Sequence, residues 1–219
     1  MEKQFYELIR VSTGLLDCLD QGPSPEEWEQ LYQLSKQQKV EGICYRGVER
    51  LFEFGLRAPQ DVSIDWMSET EVIRETNSQA KRLPRLLKCY PEELKQLRQS
   101  EDDLLNPSEV PTIRQMYSLF LQGRLNMRAV LDYYYVLCQT KGKYETSKGG
   151  DWTDHVLGAF GLRRFARGLM WLMHESLGLE RQRMPWSPNA HEGHFLQGEL
   201  FGTNTRKQRF LHMLRYFKL

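Results

Sequence analysis

Residues 110–139 read V-P-T-I-R-Q-M-Y-S-L-F-L-Q-G-R-L-N-M-R-A-V-L-D-Y-Y-Y-V-L-C-Q, two apolar patterns parted by one glycine. Pro111 and Thr112 suit a turn and a helix start, and Ile113, Met116, Tyr117 and Phe120 then recur at helical spacing. After Gly123 a second run carries Leu125, Met127, Val130, Leu131, Tyr134 and Leu137, apolar around much of its circumference. Such a helix is expected to be buried on more than one side. The other helical patterns have single stripes to bury, and this pair is what they would bury them against.

The rest of the chain supplies those stripes. Residues 3–19 predict a helix with Phe5, Leu8, Ile9, Leu15, Leu16 and Leu19 on one face, ended by Gly22-Pro23. Ser24-Pro25-Glu26-Glu27 has the composition of a capping box with proline in the first turn, and Trp28, Leu31 and Leu34 follow as that helix's core face. A third helix takes Val40, Ile43, Cys44, Val48, Leu51 and Phe52, with Gly55 placed to end it. Residues 56–62 read as a loop, and Ile64, Trp66, Met67, Val72 and Ile73 mark a helix over 63–83 that Pro84 ends. Beyond the polar stretch 141–150, a helix is expected over 153–177, closed by Gly178. Residues 181–205 contain Pro185, Pro188 and three glycines and predict loop, with one helical turn near 195–200. Residues 206–219 make a basic amphipathic helix with Phe210, Leu211, Leu214 and Phe217 inside.

These elements predict an all-α fold, a single-domain bundle of about eight helices, with at most a vestigial strand around 86–105. The parts are 1–83, 84–110 and 111–219. A chain of 219 residues is long enough for a real core, and 40% hydrophobic with 27% charged residues is ordinary for a globular protein. No apolar run approaches a membrane span, and the first residues begin an amphipathic helix pattern in place of a secretory signal. Cys18, Cys44, Cys89 and Cys138 show no C-x-x-C spacing, so reduced thiols and a cytoplasmic setting are expected.

Charge is uneven. Residues 1–110 hold 14 Lys+Arg against 21 Asp+Glu, net −7, and residues 111–219 hold 16 against 8, net +8. Arg163, Arg164 and Arg167 cluster at helical spacing, and Arg206, Lys207, Arg209, Arg215 and Lys218 line the last helix. They are read first as a solvated basic face and second as a surface for an anionic partner. No helix-turn-helix, zinc-finger or RNA-binding signature accompanies them, which argues against nucleic acid.

The run W-E-Q-L-Y-Q-L-S-K-Q-Q-K-V-E-G-I-C-Y-R-G-V (28–48), with the tryptophan helix at Trp66, resembles the helical front of a Bacteroidetes-type bacterial family of uncharacterised nucleotidyltransferases. V-P-T (110–112), M-R-A-V-L-D-Y-Y-Y-V-L (127–137) and G-L-R-R-F-A-R-G-L-M-W (161–171) are similar to its helical back. Between the two, the family carries a lysine-glycine turn, a tyrosine-proline segment and a G-D-I-D strand. Carboxylates two apart on a strand point to one side, where they can hold two divalent metals that clamp the attacking and leaving oxygens of a phosphoryl group.

In this chain the corresponding region is compressed into L-L-K-C-Y-P-E-E-L-K-Q-L-R-Q-S-E-D-D-L-L (86–105). Cys89 follows Lys88 where the family has glycine, and Glu101-Asp102-Asp103 stands in place of G-D-I-D. Adjacent Asp102 and Asp103 would face opposite sides of a strand, and no later strand offers a third acid. The resemblance therefore implies a relative that kept its helical shell while its catalytic core is largely missing. No cofactor or metal is expected on that reading. The alternative is an active nucleotidyltransferase with Glu101, Asp102 and Asp103 holding Mg²⁺ and Lys88 near the phosphates. A shell that lost its sheet would expose apolar surface, so self-association or a protein partner is expected.

Other candidate chemistry is sparse. His191-Glu192-Gly193-His194 is not H-E-x-x-H and reads as exposed loop histidines. His155 and His174 read as partly buried, satisfied histidines of the long helix. Asp132, inside an apolar run, is expected to pair with Arg163 or Arg164. Neither G-x-S-x-G nor a phosphate-cradling glycine loop occurs.

Overall fold

The computed structural model describes residues 1–79, 109–139 and 157–217. The fold is all-α: every regular element among the described residues is helical. The expected vestigial strand at 86–105 lies outside them. No helix among them is long and apolar enough to cross a membrane. The chain divides into two compact units, Lys3–Pro111 and Thr112–Leu219.

The first unit is built from α1 (Glu2–Thr13), α2 (Pro25–Gln37), α3 (Glu41–Glu53) and α4 (Gln60–Gln79). Helix α1 stops six residues earlier than its apolar pattern predicts. Gly14 takes φ 82°, and its N–H and that of Leu15 close back on the carbonyls of Val11 and Arg10. A left-handed residue at this position ends the hydrogen-bond ladder, and only glycine adopts it without steric cost. Leu15 is consequently exposed, while Leu19 is still buried from the loop.

The capping box of α2 is present in full. The Ser24 N–H donates to Glu27 Oε2 at 2.8 Å, and the Glu27 N–H donates to Ser24 Oγ at 3.2 Å. Trp28 and Leu31 are buried on its core face. Helix α4 begins at Gln60, directly after Pro59, so the expected loop over 56–62 is shorter than predicted. Its core stripe is Val62, Trp66 and Thr70, each one turn from the next. Trp66 is fully buried, 5.3 Å from the Tyr32 ring, and its Nε1–H donates to the Glu41 carbonyl at 3.0 Å. Three apolar residues of its pattern, Ile64, Met67 and Val72, are exposed.

The second unit holds α5 (Glu109–Leu121), α6 (Met127–Gln139), α7 (Arg163–Leu177), a 3₁₀ turn at Arg181–Arg183, α8 (Ala190–Leu200) and α9 (Arg206–Phe217). Helix α6 buries Met127, Val130, Leu131, Tyr133, Tyr134 and Leu137 on one broad face, whereas Tyr135 and Val136 are exposed on the side of Arg128 and Asp132, so it is covered on fewer sides than the pattern predicts. Helix α5 joins through an aromatic cluster, with Tyr117 and Phe120 at 5.3 and 5.5 Å from Phe165 of α7.

The single helix expected over 153–177 is broken. A helical turn at 157–159 ends at Gly161, φ 67°, whose N–H bonds to the Gly158 carbonyl while Leu162 N–H bonds to Leu157. The loop expected over 181–205 holds more helix than the single turn predicted near 195–200, because α8 spans eleven of its residues. Asn189 starts α8, its Oδ1 accepting the Glu192 N–H at 3.1 Å. Gly193 and Gly198 inside α8 lower helix propensity, yet packing requires them. A Cβ on Gly193 would stand 2.1 Å from Trp171 Cε3, and one on Gly168 of α7 would stand 2.9 Å from the Glu192 backbone. Helices α7 and α8 therefore pack closely, with Gly168 against the Glu192 backbone and the Trp171 ring laid over Gly193.

Candidate functional site

Glu101, Asp102, Asp103 and Lys88, the acids and lysine that would serve nucleotidyl transfer, lie outside the described residues, as does His155. Among the described residues no group of three or more His, Cys, Asp or Glu side chains could hold a metal ion.

The H-E-G-H segment is not a loop. It forms the first turns of α8, which turns its four residues in different directions. His191 and His194 are exposed, His194 lying 4.2 Å from the Trp171 ring. Glu192 points inward and is buried, its Oε2 2.6 Å from Nε2 of His212 on α9. The His212 ring is also buried and stacks on Phe195, centroids 3.5 Å apart and planes 4° apart. This pair ties α9 to α8. Two groups twenty residues apart on different helices leave no local spacing by which sequence could reveal them.

His174 is the satisfied, partly buried histidine expected: its Nδ1 lies 2.7 Å from the Leu179 carbonyl. Asp132 departs from expectation. It is exposed and pairs with Arg128 one turn earlier on α6, Nε to Oδ1 3.0 Å, in place of Arg163 or Arg164. The side chain one turn away supplies the partner before any residue of another helix is needed.

The basic residues are divided in role. Arg167 donates from Nε to the Ser187 carbonyl at 3.1 Å and from Nη2 to Ser187 Oγ, and its own carbonyl accepts the Asn189 N–H. It therefore anchors the lead-in to α8. Arg209 donates to Glu199 Oε1 at 2.7 Å, an oxygen that also accepts from Asn204. Arg163, Arg164, Arg206 and Lys207 are exposed.

One concave feature among the described residues lies in the first unit, between α3 and α4. This groove of about 570 Å³ has Val48 as its buried floor and Tyr45, Phe52, Ile64 and Met67 as its walls. Phe52 is 58%, Ile64 50% and Met67 42% exposed, so the apolar walls face solvent. Glu49 and Glu53 stand on the α3 side, and the Arg57 guanidinium lies 4.7 Å from the Phe52 ring centroid. The sequence marks Phe52, Ile64 and Met67 as apolar helix positions without showing which face is covered. The available signal was that Val62, Trp66 and Thr70 repeat every fourth residue of α4, leaving Ile64 and Met67 on another face.

Titratable groups with shifted behaviour do not gather at this groove. Burial pushes the Cys44 thiol up, with the Glu41 carboxylate adding to the rise. Burial also raises the Tyr134 hydroxyl, helped by its hydrogen bond with Cys138. Cys18, Cys44 and Cys138 are free thiols.

No family model, no curated protein and no solved structure matches the chain.

Proposed function

We propose that the protein is a non-catalytic helical relative of bacterial nucleotidyltransferases that acts by binding a protein partner. The observation that carries the binding role is the α3–α4 groove, whose apolar walls at Phe52, Ile64 and Met67 stand in solvent. Single exposed apolar side chains are common, but several converging on one groove mark a docking surface. The non-catalytic half rests on the compressed segment 86–105, where Cys89 replaces the family's glycine and Asp102 and Asp103 are adjacent.

The test is isothermal titration of ATP, CTP and GTP with Mg²⁺ into the full chain and into Asp103→Ala. Titrations without metal-dependent heat are expected. Metal-dependent nucleotide binding that disappears in Asp103→Ala would overturn the reading in favour of an active nucleotidyltransferase, whose support is the two-residue spacing of Glu101 and Asp103. A second binding reading, an anionic partner on the basic C-terminal half, draws on the exposed Arg163, Arg164, Arg206 and Lys207. It predicts binding to DNA or anionic lipid that weakens steeply with salt.

A further inference from the structure

We infer that the α3–α4 groove receives a cationic amphipathic helix from a partner protein. The inference rests on the binding reading above and names the partner's chemistry. Tyr45, Val48 and Phe52 occupy successive positions along one side of α3, and Ile64 and Met67 face them from α4. From Tyr45 to Phe52 is about 10 Å of helix at 1.5 Å per residue. Over that length an incoming helix presents apolar anchors at i, i+3 or i+4, and i+7, which is how amphipathic helices seat in grooves. Among the described residues there is no sheet edge to which an extended peptide could add a strand.

Charge selects the occupant. The ionisable side chains that line the groove are Glu49, Glu53 and Arg57, two acids and one base, and the exposed ionisable side chains over residues 41–73 add Asp61, Asp65 and Glu71 against Arg46. Glu49 and Glu53 stand beside the apolar walls themselves. Arg50, the remaining arginine of α3, is turned away and lies against Gly14. An anionic membrane or an acidic helix would be repelled from such a rim, whereas a helix flanked by lysine or arginine would be steered toward it. The apolar walls then supply the contact area, and the rim sets which sign of partner is accepted.

The test uses the full chain and a fluorescein-labelled synthetic helix of leucine and lysine, about five turns long, with a leucine–glutamate counterpart, read by fluorescence anisotropy. Saturable binding of the lysine helix and at least ten-fold weaker binding of the glutamate helix are expected. Ile64→Ala with Met67→Ala should weaken the lysine helix about ten-fold or more. Both side chains are largely exposed, so circular dichroism and the thermal midpoint should be unchanged. Glu49→Lys with Glu53→Lys should reduce or invert the preference between the two helices.

Equal affinity for both helices, or a preference untouched by the charge reversal, would overturn the proposal. So would a monomer–dimer equilibrium abolished by the Ile64→Ala/Met67→Ala pair, which would assign the groove to a second copy. A drop in the midpoint of that pair without peptide binding would place the chain's own residues in the groove and equally overturn it. A silent peptide titration beside silent nucleotide titrations removes this partner class and leaves the non-catalytic reading; metal-dependent nucleotide heat removes the reading itself.

Discussion

Replacing Gly47 by alanine tests the packing of the first unit at its narrowest point. Gly47 lies buried in the middle of α3, where a Cβ would stand 2.6 Å from the Leu8 carbonyl oxygen and 2.8 Å from Leu8 Cδ1. The side-chain carbon could be relieved by a rotamer change. The carbonyl cannot, because it belongs to the backbone of α1, so the two helices must separate. Helix propensity alone favours alanine by about 0.8–1.0 kcal/mol at an interior position. Overpacking a tight site costs about 1–3 kcal/mol, and a clash with backbone belongs at the upper end. The net expectation is destabilisation of about 1–2 kcal/mol. At about 2–4 °C per kcal/mol for a chain of this size, the thermal midpoint should fall by roughly 2–8 °C.

Gly42→Ala supplies the control in the same helix. Its Cβ would meet only Thr70 Cγ2, at an ordinary 3.5 Å. Without a clash, the lower backbone entropy of the unfolded chain should stabilise by about 0.4–1 kcal/mol. Differential scanning fluorimetry and urea unfolding of the two variants decide the matter. If Gly47→Ala raised the midpoint as much as Gly42→Ala, α1 and α3 would not be in the close contact described, and the reasoning would fail.

Ser24→Ala removes the oxygen that accepts the Glu27 N–H and should cost about 1 kcal/mol by chemical denaturation, with glycine at that position restoring most of it. His212→Ala loses both the hydrogen bond to buried Glu192 and the stack on Phe195; a loss of about 2–4 kcal/mol is expected, against under about 0.5 kcal/mol for Arg128→Ala at the exposed Asp132 pair. Cys44 should resist thiol reagents in the native protein while exposed Cys18 reacts, as read by mass spectrometry. Unfolding returns the Cys44 thiol to an ordinary value near 9.0. Its protonated burial therefore costs the fold nothing below that pH, and stability is lost progressively above it. The thermal midpoint of the wild type should fall more steeply from about pH 9 upward than that of Cys44→Ala.

Local signals were legible in the sequence where the physics is local. The capping box of α2 needs only Ser24 and Glu27 three residues apart, and the broad buried face of α6 follows from its closely spaced apolar residues. Gly55 and Gly178 could be placed as helix ends because each closes a periodic run, whereas Gly14 and Gly161 sit inside longer apolar patterns that outvoted them. Helix α8 was hidden for the opposite reason. Gly193 and Gly198 look like loop residues until Trp171 of α7 is brought against the first and the Asn204 side chain against the second, and the space for a Cβ vanishes. The groove was half legible. Phe52, Ile64 and Met67 were recognised as apolar positions on helices, but α4 carries apolar residues on two faces, and periodicity does not say which face a neighbour covers. The Glu192–His212 pair depends on a contact between two helices, which no spacing within either one encodes.

The way α3 divides its circumference shows why the groove is not merely slack packing. One side is given to α1, where Gly47 meets Leu8 without room for a methyl group. The next is given to α4, where the Glu41 carbonyl accepts from Trp66 and a Cβ on Gly42 would come into ordinary contact with Thr70. Both contacts are close, so the two helices are not held apart by poor fit. What is left over is the side bearing Tyr45 and Phe52, and α4 answers it with Ile64 and Met67. Polar side chains at Phe52, Ile64 and Met67 would cost the unit little, because residues this exposed contribute only about ±0.5 kcal/mol when changed. Folding therefore does not account for apolar residues there, and burial by a partner is what the proposed docking role would add. Stability and binding should accordingly separate: Gly47→Ala should lower the midpoint, whereas Ile64→Ala with Met67→Ala should lower partner affinity with the midpoint unmoved. A pair of alanines that destabilised the fold as much as the Gly47 substitution would mean that these side chains are core after all.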